Sequence, residues 1–156
     1  MAATNPALFD FEGERKSIKE GGEILKNRLP VNFYPGMNLE SIANRDSTAY
    51  KEPYKLDKVE TLLRGTLRFE PYCDVVYGLK QIGLLEMNNC IPKGCNSWKS
   101  IVESLKYIEK LDADPKNESE IVIKAMEELN LFTDEALSDK VKSADNILDA
   151  FANHLR

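Results

Sequence analysis

Hydrophobic and polar positions alternate over much of the first seventy residues, and a period of two is typical of β-strands. Glycine and proline pairs interrupt this alternation and mark turns between the extended segments. The elements predicted here are a hairpin over 7–18 around Glu12-Gly13, a helical turn over 23–27, a strand over 31–34 stopped by Pro35-Gly36 and prolonged by 37–42, and a polar loop over 44–53.

Residues 61–69 form the clearest strand pattern in the chain. Successive side chains of a strand point to opposite faces, so Arg64, Thr66 and Arg68 share one face of this segment. The opposite face carries Leu63, Gly65, Leu67 and Phe69. Two guanidinium groups with a hydroxyl between them suit a ligand that carries carboxylates. The same pattern is also typical of the solvated face of an edge strand, with Asp46 as an ion-pair partner.

The period changes after Pro71, where apolar residues recur at helical spacing. A first helix follows Pro71 and ends at Gly83, a second begins after the N-cap residue Ser97, and a third follows a capping box of Asn117 and Glu120. A last helix begins near Asp145. Their apolar faces carry Val75, Leu79 and Ile82; Trp98, Ile101, Leu105, Ile108 and Leu111; Val122 and Met126; and Ile147, Phe151 and Leu155.

This change of period predicts an α+β chain of two parts. Residues 1–70 are strand-rich and form part of a mixed α/β domain, and residues 71–156 form a helical domain of about four helices. A sheet of so few strands needs further structure packed on it to bury a face. We therefore expect either these helices or another part of a larger protein to cover the sheet.

Composition removes several classes of partner. The chain has 156 residues, 42% hydrophobic and 30% charged, with a net charge of −5. Because nucleic-acid binding needs a basic surface, we expect no nucleic-acid partner. No apolar run approaches bilayer-spanning length, so we expect no membrane partner. Residues 1–10 lack the pattern of a secretory signal or a transit peptide. The predicted location is the cytoplasm, with the mitochondrion as the alternative.

Cysteine and histidine are scarce. The three cysteines, Cys73, Cys90 and Cys95, fit a reducing compartment better than a disulfide framework, and the single histidine is His154. A structural zinc site usually needs four such ligands, so no metal site is predicted. We expect Cys73 to be a buried small residue, Trp98 a core residue, and His154 a surface or capping residue at a helix end.

Two polar motifs give this chain a family resemblance. Residues 44–48 read Asn-Arg-Asp-Ser-Thr, and residues 63–69 read Leu-Arg-Gly-Thr-Leu-Arg-Phe. Together and in this order they resemble the saccharopine dehydrogenase (saccharopine reductase) family of lysine metabolism, which also forms the C-terminal half of aminoadipic semialdehyde synthase. Residues 33–40, 77–85 and 146–151 are similar to the family as well. Two departures from its usual pattern are Ala43 and the pair Pro71-Tyr72.

The resemblance implies an oxidoreductase that acts on a CH–NH bond and interconverts saccharopine with glutamate and aminoadipic semialdehyde. It implies NAD or NADP bound by a Rossmann domain, and a homodimer at full length. This chain resembles the first part of the substrate-binding domain followed by the helical domain. It has no Gly-x-Gly-x-x-Gly turn, so we expect it to bind no cofactor, to need the rest of the enzyme chain and to be inactive alone.

The resemblance also implies which residues touch saccharopine: Arg45, Thr66, Leu67 through its backbone, and Arg68. Arg64 is expected near them, and Asp46 is expected to orient Arg45 or to meet a substrate amine. Ser47 and Thr48 suit a turn cap as well as a ligand contact. No residue of the chain is assigned as the catalytic acid or base.

Two further functions remain open from the sequence. The chain could be a non-catalytic helical interaction module derived from the family. It could also be a small-molecule binder that keeps affinity for saccharopine or glutamate without chemistry. Ligand binding that depends on Arg68 would separate either binding function from the interaction module.

Overall fold

The computed structural model describes residues 4–31, 34–111 and 118–156. They form two compact units, Met1–Cys73 and Asp74–Arg156. Among the described residues, the strands all lie in the first unit and the elements of the second unit are helices, which confirms the predicted α+β class.

The first unit contains two small sheets. Its elements are β1 (Ala7–Phe11), β2 (Glu14–Ile18), the short helix α1 (Glu23–Lys26), β3 (Leu29–Pro30), β4 (Leu39–Ala43), β5 (Arg45–Asp46), a 3-10 turn (Thr48–Tyr50) and β6 (Gly65–Phe69). One sheet has the strand order β2-β1-β5 and the other β3-β4-β6. The chain passes directly from the second sheet to the first between β4 and β5, at Asn44.

The predicted hairpin is confirmed. β1 and β2 pair antiparallel from Ala7 opposite Ile18 to Phe11 opposite Glu14. Glu12 and Gly13 at the turn have φ angles of 52° and 80°. Two successive left-handed residues give the turn that matches the right-handed twist of paired strands.

The strand predicted over 31–34 is wrong at the two positions that can be compared, whereas the continuation predicted over 37–42 is confirmed at 39–42, which lie in β4. Asn32 and Phe33 lie outside the described residues, while Val31 and Tyr34 are not in a strand. The structure has two separate strands, β3 and β4, which pair antiparallel. Gly36, with a φ of 88°, lies between them. The chain therefore reverses at the Pro-Gly pair, because glycine adopts this left-handed backbone without strain.

The second unit contains six helices among the residues described. They are α2 (Tyr72–Gln81), whose first two residues belong to the first unit, α3 (Trp98–Ser104), α4 (Tyr107–Leu111), α5 (Glu118–Glu128), α6 (Asp139–Lys142) and α7 (Ile147–His154). Ser97 caps α3 as predicted, since its side chain accepts a hydrogen bond from the Ser100 N–H. Asn117 lies outside the described residues, so the capping box predicted there is not seen.

Three details of the helical prediction are wrong. The helix expected from Ser97 to Leu111 is divided in two, because Lys106 has a left-handed φ of 52° that ends α3. The short helix α6 was not predicted. Leu155, expected to point inward, is 52% exposed beyond the end of α7.

The core of the second unit is a continuous cluster of buried apolar side chains. Its largest contributions come from Leu79, Ile82, Leu84, Trp98, Ile101, Val102, Val122, Met126, Leu131, Ile147 and Phe151. Gly78 lets α2 and α5 approach closely, since a β-carbon there would lie 2.3 Å from a methyl group of Val122. Trp98 is a core residue as expected, and Cys73 is fully buried at the end of the first unit.

His154 differs from the expectation of a surface residue, while its contact with the carbonyl just after α5 agrees with a capping role at a helix end. It is half-buried, and its Nε2 lies 2.8 Å from the carbonyl oxygen of Leu129. Its ring centre is 4.9 Å from that of Trp98. The histidine therefore connects the C-terminal helix to the core, because aromatic packing and a backbone hydrogen bond hold the ring from two sides.

Candidate functional site

The two polar motifs meet at the backbone of Arg64. The N–H of Asn44 donates to the Arg64 carbonyl at 2.9 Å, and the Arg64 N–H donates to the hydroxyl oxygen of Ser47 at 2.8 Å. Ser47 is fully buried, and its own N–H donates to the carbonyl of Leu8 on β1 at 2.7 Å. These bonds hold the 44–48 segment against both β1 and the residue that precedes β6.

Arg45 occupies a strained position on this segment. It pairs in parallel with Ala7 of β1, and its backbone has a left-handed φ of 57°. A long side chain rarely adopts this conformation, and such residues concentrate at functional sites. The side chain of Arg45 is exposed and lines a cleft of about 390 Å³ together with Leu8, Ser17 and Asp46.

Asp46 caps a turn, and its expected contact with a substrate amine stays a prediction. One of its oxygens, Oδ1, accepts hydrogen bonds from the Thr48 N–H at 2.8 Å and from the Thr48 hydroxyl at 2.6 Å. The Thr48 hydroxyl, followed by smaller backbone and charge contributions, lowers the pKa of the Asp46 carboxyl. The carboxylate therefore caps the turn after β5 instead of orienting Arg45, and an aspartate two residues before the donor is suited to this.

Arg68 lies on β6, the edge strand of the second sheet. Its Nη1 donates to the carbonyl of Leu67 at 3.0 Å, and its guanidinium carbon lies 5.2 Å from the centre of the Tyr72 ring. The guanidinium is exposed, and Thr66 is half-buried on the same strand. The face of β6 that carries Leu67 and Phe69 is open to a large degree, since these side chains are 40% and 65% exposed.

The backbone hydrogen bonds around β6 show which way the N–H and carbonyl of Leu67 point. The carbonyl of Arg64 and the N–H of Glu70, at the two ends of the strand, both bond to the segment that contains β4. In an antiparallel pair, bonded residues alternate with residues whose backbone groups point away. Even-numbered residues of β6 therefore bond to β4, and the N–H and carbonyl of Leu67 point toward the open edge.

The side chain of Arg64 does not join Arg68. The backbone of Arg64 continues the β6 pairing through Asn44, but strand alternation alone does not specify the partner of the Arg64 side chain. Its Nη1 donates to the Tyr50 hydroxyl at 2.8 Å, with the guanidinium 5.8 Å from the centre of that ring. The backbone of Arg64 joins the two motifs, while its side chain lies along the 48–54 segment.

The sequence prediction missed Glu40 and underrated Gly65. Glu40 on β4 is only 2% exposed, and its Oε1 accepts a hydrogen bond from the Cys73 N–H at 2.6 Å. A β-carbon at Gly65 would lie 2.7 Å from the Ser41 hydroxyl oxygen and 3.1 Å from the Ile42 carbonyl oxygen, so a side chain at the start of β6 would require its neighbours to shift. The available signal for Glu40 was a charged residue inside an otherwise buried strand.

The residues described here do not form a cofactor or metal site. Among them, no group of three or more His, Cys, Asp or Glu side chains is placed to hold a metal ion. β1 leads into a hairpin rather than a helix, and α1 after Gly22 has only four residues. A dinucleotide site needs a glycine-rich turn between a strand and a longer helix, and the described residues after β1 and before α1 do not form one. No described helix is long and apolar enough to cross a bilayer.

Comparison with known proteins identifies the family. The profile named "Saccharopine dehydrogenase C-terminal domain" matches residues 1–156. The chain is 32% identical over 168 residues to the mitochondrial alpha-aminoadipic semialdehyde synthase of Rattus norvegicus, covering 99% of this chain. It is 34% identical over 86 residues, 55% of the chain, to the saccharopine dehydrogenase [NADP(+), L-glutamate-forming] of Schizosaccharomyces pombe.

A solved structure shows the same fold. The apo form of a histidine-tagged saccharopine dehydrogenase (L-Glu forming) from Saccharomyces cerevisiae superposes with a TM-score of 0.82 over 99% of this chain at 24% sequence identity. The chain spans 37% of that protein, 18% of the rat relative and 19% of the fission-yeast relative. From the profile match over its whole length, we conclude that this chain belongs to the saccharopine dehydrogenase C-terminal domain family.

Proposed function

We propose that this chain supplies one wall of the saccharopine site in an NAD(P)-dependent saccharopine dehydrogenase of lysine metabolism. The reaction interconverts saccharopine with glutamate and aminoadipic semialdehyde. Family membership and the names of the relatives support this assignment. The rest of the enzyme provides the nucleotide site, and the complete enzyme is a homodimer. The name of the rat relative supports the mitochondrial location over the cytoplasmic one.

The junction at Arg64 is the observation that carries this proposal. Its backbone binds Asn44 on one side and Ser47 on the other, so the segment that carries Arg45 and the strand that carries Arg68 are fixed to one residue. A site with two cationic groups needs such a connection, because a pair of carboxylates can be recognised only if the guanidinium positions are set in advance.

Each proposed contact has a chemical role. Arg45 and Arg68 receive carboxylates through charge-assisted hydrogen bonds, which planar guanidinium groups make in pairs. Thr66 offers a hydroxyl on the same strand as Arg68. Leu67 contributes its backbone, whose polar groups point toward the open edge of β6. NAD(P), when bound elsewhere in the enzyme, accepts the hydride, and no acid or base is assigned in this chain.

Steady-state kinetics of the intact gene product would test the role of Arg68. We expect Arg68→Ala to raise KM for saccharopine about 10- to 100-fold, the usual size of a lost hydrogen bond to a charged group. The effect on kcat should be smaller. Lys142→Ala, which removes an exposed positive charge on α6 of the second unit, is the matched control and should leave KM unchanged.

Arg45→Asn separates binding from folding at the second arginine. Asparagine tolerates the left-handed backbone better than arginine, so this variant removes the guanidinium without adding strain. We expect unchanged or slightly higher stability together with a raised KM for saccharopine. If both arginine variants kept wild-type KM, the saccharopine-site assignment would fail and the interaction module would become the better hypothesis.

A further inference from the structure

Glu40 carries a carboxylate that is buried inside the first unit. It lies on β4 between half-buried Leu39 and the buried residues Ser41, Ile42 and Ala43. A charge removed from water in this way is costly unless other groups compensate for it. At 2% exposure the Glu40 side chain has to find its partners inside the first unit.

Two different groups compensate the two oxygens of Glu40. Oε1 accepts the hydrogen bond from the Cys73 N–H at 2.6 Å, in the first turn of α2. Helix N–H groups at this position have no partner within the helix, and the helix dipole favours a negative charge there. Oε2 lies 3.5 Å from Nη1 of Arg28 and makes no hydrogen bond among the described residues.

Glu40 is also the register partner of Arg68. The two residues lie opposite each other in the β4–β6 ladder, so their side chains leave the sheet on the same face. Such a pair would ordinarily form an ion pair. Among the described residues no ion pair joins them: the carboxylate binds Cys73 and Arg28, and the guanidinium lies over the ring of Tyr72.

Tyr72 immediately precedes Cys73, so the Glu40 side chain is bonded to the residue next to the ring that faces Arg68. The strand ladder places the backbone of Arg68 opposite Glu40, and the hydrogen bond to the Cys73 N–H fixes the backbone next to Tyr72. The guanidinium carbon of Arg68 lies 5.2 Å from the centre of that ring. Its Nη1 donates to the Leu67 carbonyl, and a cation held over an aromatic face keeps its remaining donors available to a ligand.

We propose that Glu40 is a positioning residue for Arg68. It holds the start of α2 so that the Tyr72 ring supports the Arg68 guanidinium, and it withholds from Arg68 the competing carboxylate on the same face of the sheet. This inference rests on the proposed function, since it concerns how Arg68 is presented to a carboxylate-bearing substrate.

Kinetics of the intact gene product with saccharopine would test this positioning role. We expect Glu40→Ala to raise KM about tenfold with kcat near the wild-type value, because one ordered support of Arg68 is lost. Glu40→Gln keeps an oxygen that can accept from the Cys73 N–H, so its KM should stay within about threefold of wild type. In an Arg68→Ala background, Glu40→Ala should have no further effect on KM.

Two further variants keep the test decisive if Glu40→Ala does not fold. Tyr72→Leu leaves the buried carboxylate in place and removes the ring, and it should raise KM without adding to the effect of Arg68→Ala. Ser97→Ala, which removes a buried helix cap in the second unit, is the control for general destabilisation and should leave KM unchanged.

The possible failures are distinguishable. If Arg68→Ala itself leaves KM unchanged, the proposed function is wrong and this inference is overturned with it. If Arg68→Ala raises KM but Tyr72→Leu does not, only the positioning role is overturned. Additive effects of Glu40→Ala and Arg68→Ala would likewise overturn it, because they would show that Glu40 does not act through Arg68.

Discussion

The two units of this chain differ in the kind of group that they bury. The second unit buries a continuous apolar cluster, and among its described residues the only polar residue classed as buried is the helix cap Ser97. Among its described residues, the first unit buries fewer apolar side chains, together with four polar residues. These residues are Asp10, Glu40, Ser41 and Ser47.

This difference indicates which unit requires its side chains at particular positions. Apolar packing stabilises a fold in proportion to buried area and tolerates many exchanges of similar volume. A buried polar group instead requires a particular partner at a particular distance. Ser47 with the Arg64 N–H, and Glu40 with the Cys73 N–H, are two such pairs beside the proposed binding residues. The proposed binding residues therefore lie in the unit that buries polar groups.

Truncation of Ile101 should have the largest effect of three tests of this contrast. Ile101 is fully buried in the apolar cluster, so Ile101→Ala loses buried area and leaves a cavity, at a cost of about 2–5 kcal/mol. Denaturant unfolding measures this free energy. Ile121→Ala on α5, where the side chain is 38% exposed, is the matched control and should cost much less. Equal costs would contradict a unit stabilised by its buried apolar cluster.

Ser47→Ala tests the polar side of the contrast and should have an intermediate effect. The variant leaves the Arg64 N–H without the acceptor at 2.8 Å, and an unsatisfied buried donor costs about 1–3 kcal/mol. We also expect a raised KM for saccharopine in the intact gene product, because the link between the motifs is lost. Ser143→Ala, at an exposed serine of the second unit, should change neither quantity. If the variant lost stability but kept the wild-type KM, the Ser47–Arg64 hydrogen bond would stabilise the fold without positioning the proposed binding residues.

The smallest effect should come from acid titration of Asp10. Hydrogen bonds from Arg15 and then Lys51 lower the pKa of its carboxyl to about 2. Because the folded pKa lies below the usual value of about 3.9, the stabilisation is complete above that value and is lost as pH falls toward 2. Unfolding measured from pH 5 to pH 2 should therefore show a decline that is shallower in Asp10→Asn. Identical pH profiles would show that these ion pairs do not stabilise the unit.

Local rules were sufficient for the elements with strong local signals. The hairpin at Glu12-Gly13 and the cap at Ser97 follow from turn and capping preferences that act within a few residues. The break at Lys106 was not predictable in this way, because a lysine with a φ of 52° has no sequence signal of its own. The exposed position of Leu155 depends on where α7 ends against its neighbours.

The candidate site was predictable in its residue types but not in its arrangement. The motifs at 44–48 and 63–69 drew attention to the arginines, and Arg45, Thr66, Leu67 and Arg68 remain proposals for binding. The pairing of Asn44 and Ser47 with Arg64 joins residues 17 to 20 positions apart in the chain. Strand alternation alone did not specify the partner of the Arg64 side chain, because Tyr50 lies 14 positions away in the chain.

The sequence by itself determined the mixed α/β class, the family and the chemistry of the exposed cationic groups. These properties depend on period, motif and residue type, which are all local. Only the tertiary structure decided that Glu40 reaches the first turn of α2 and that Ser47 receives the Arg64 N–H. Such bonds satisfy buried polar groups with partners far away in the chain, and a linear pattern does not specify which distant backbone group comes within hydrogen-bonding distance.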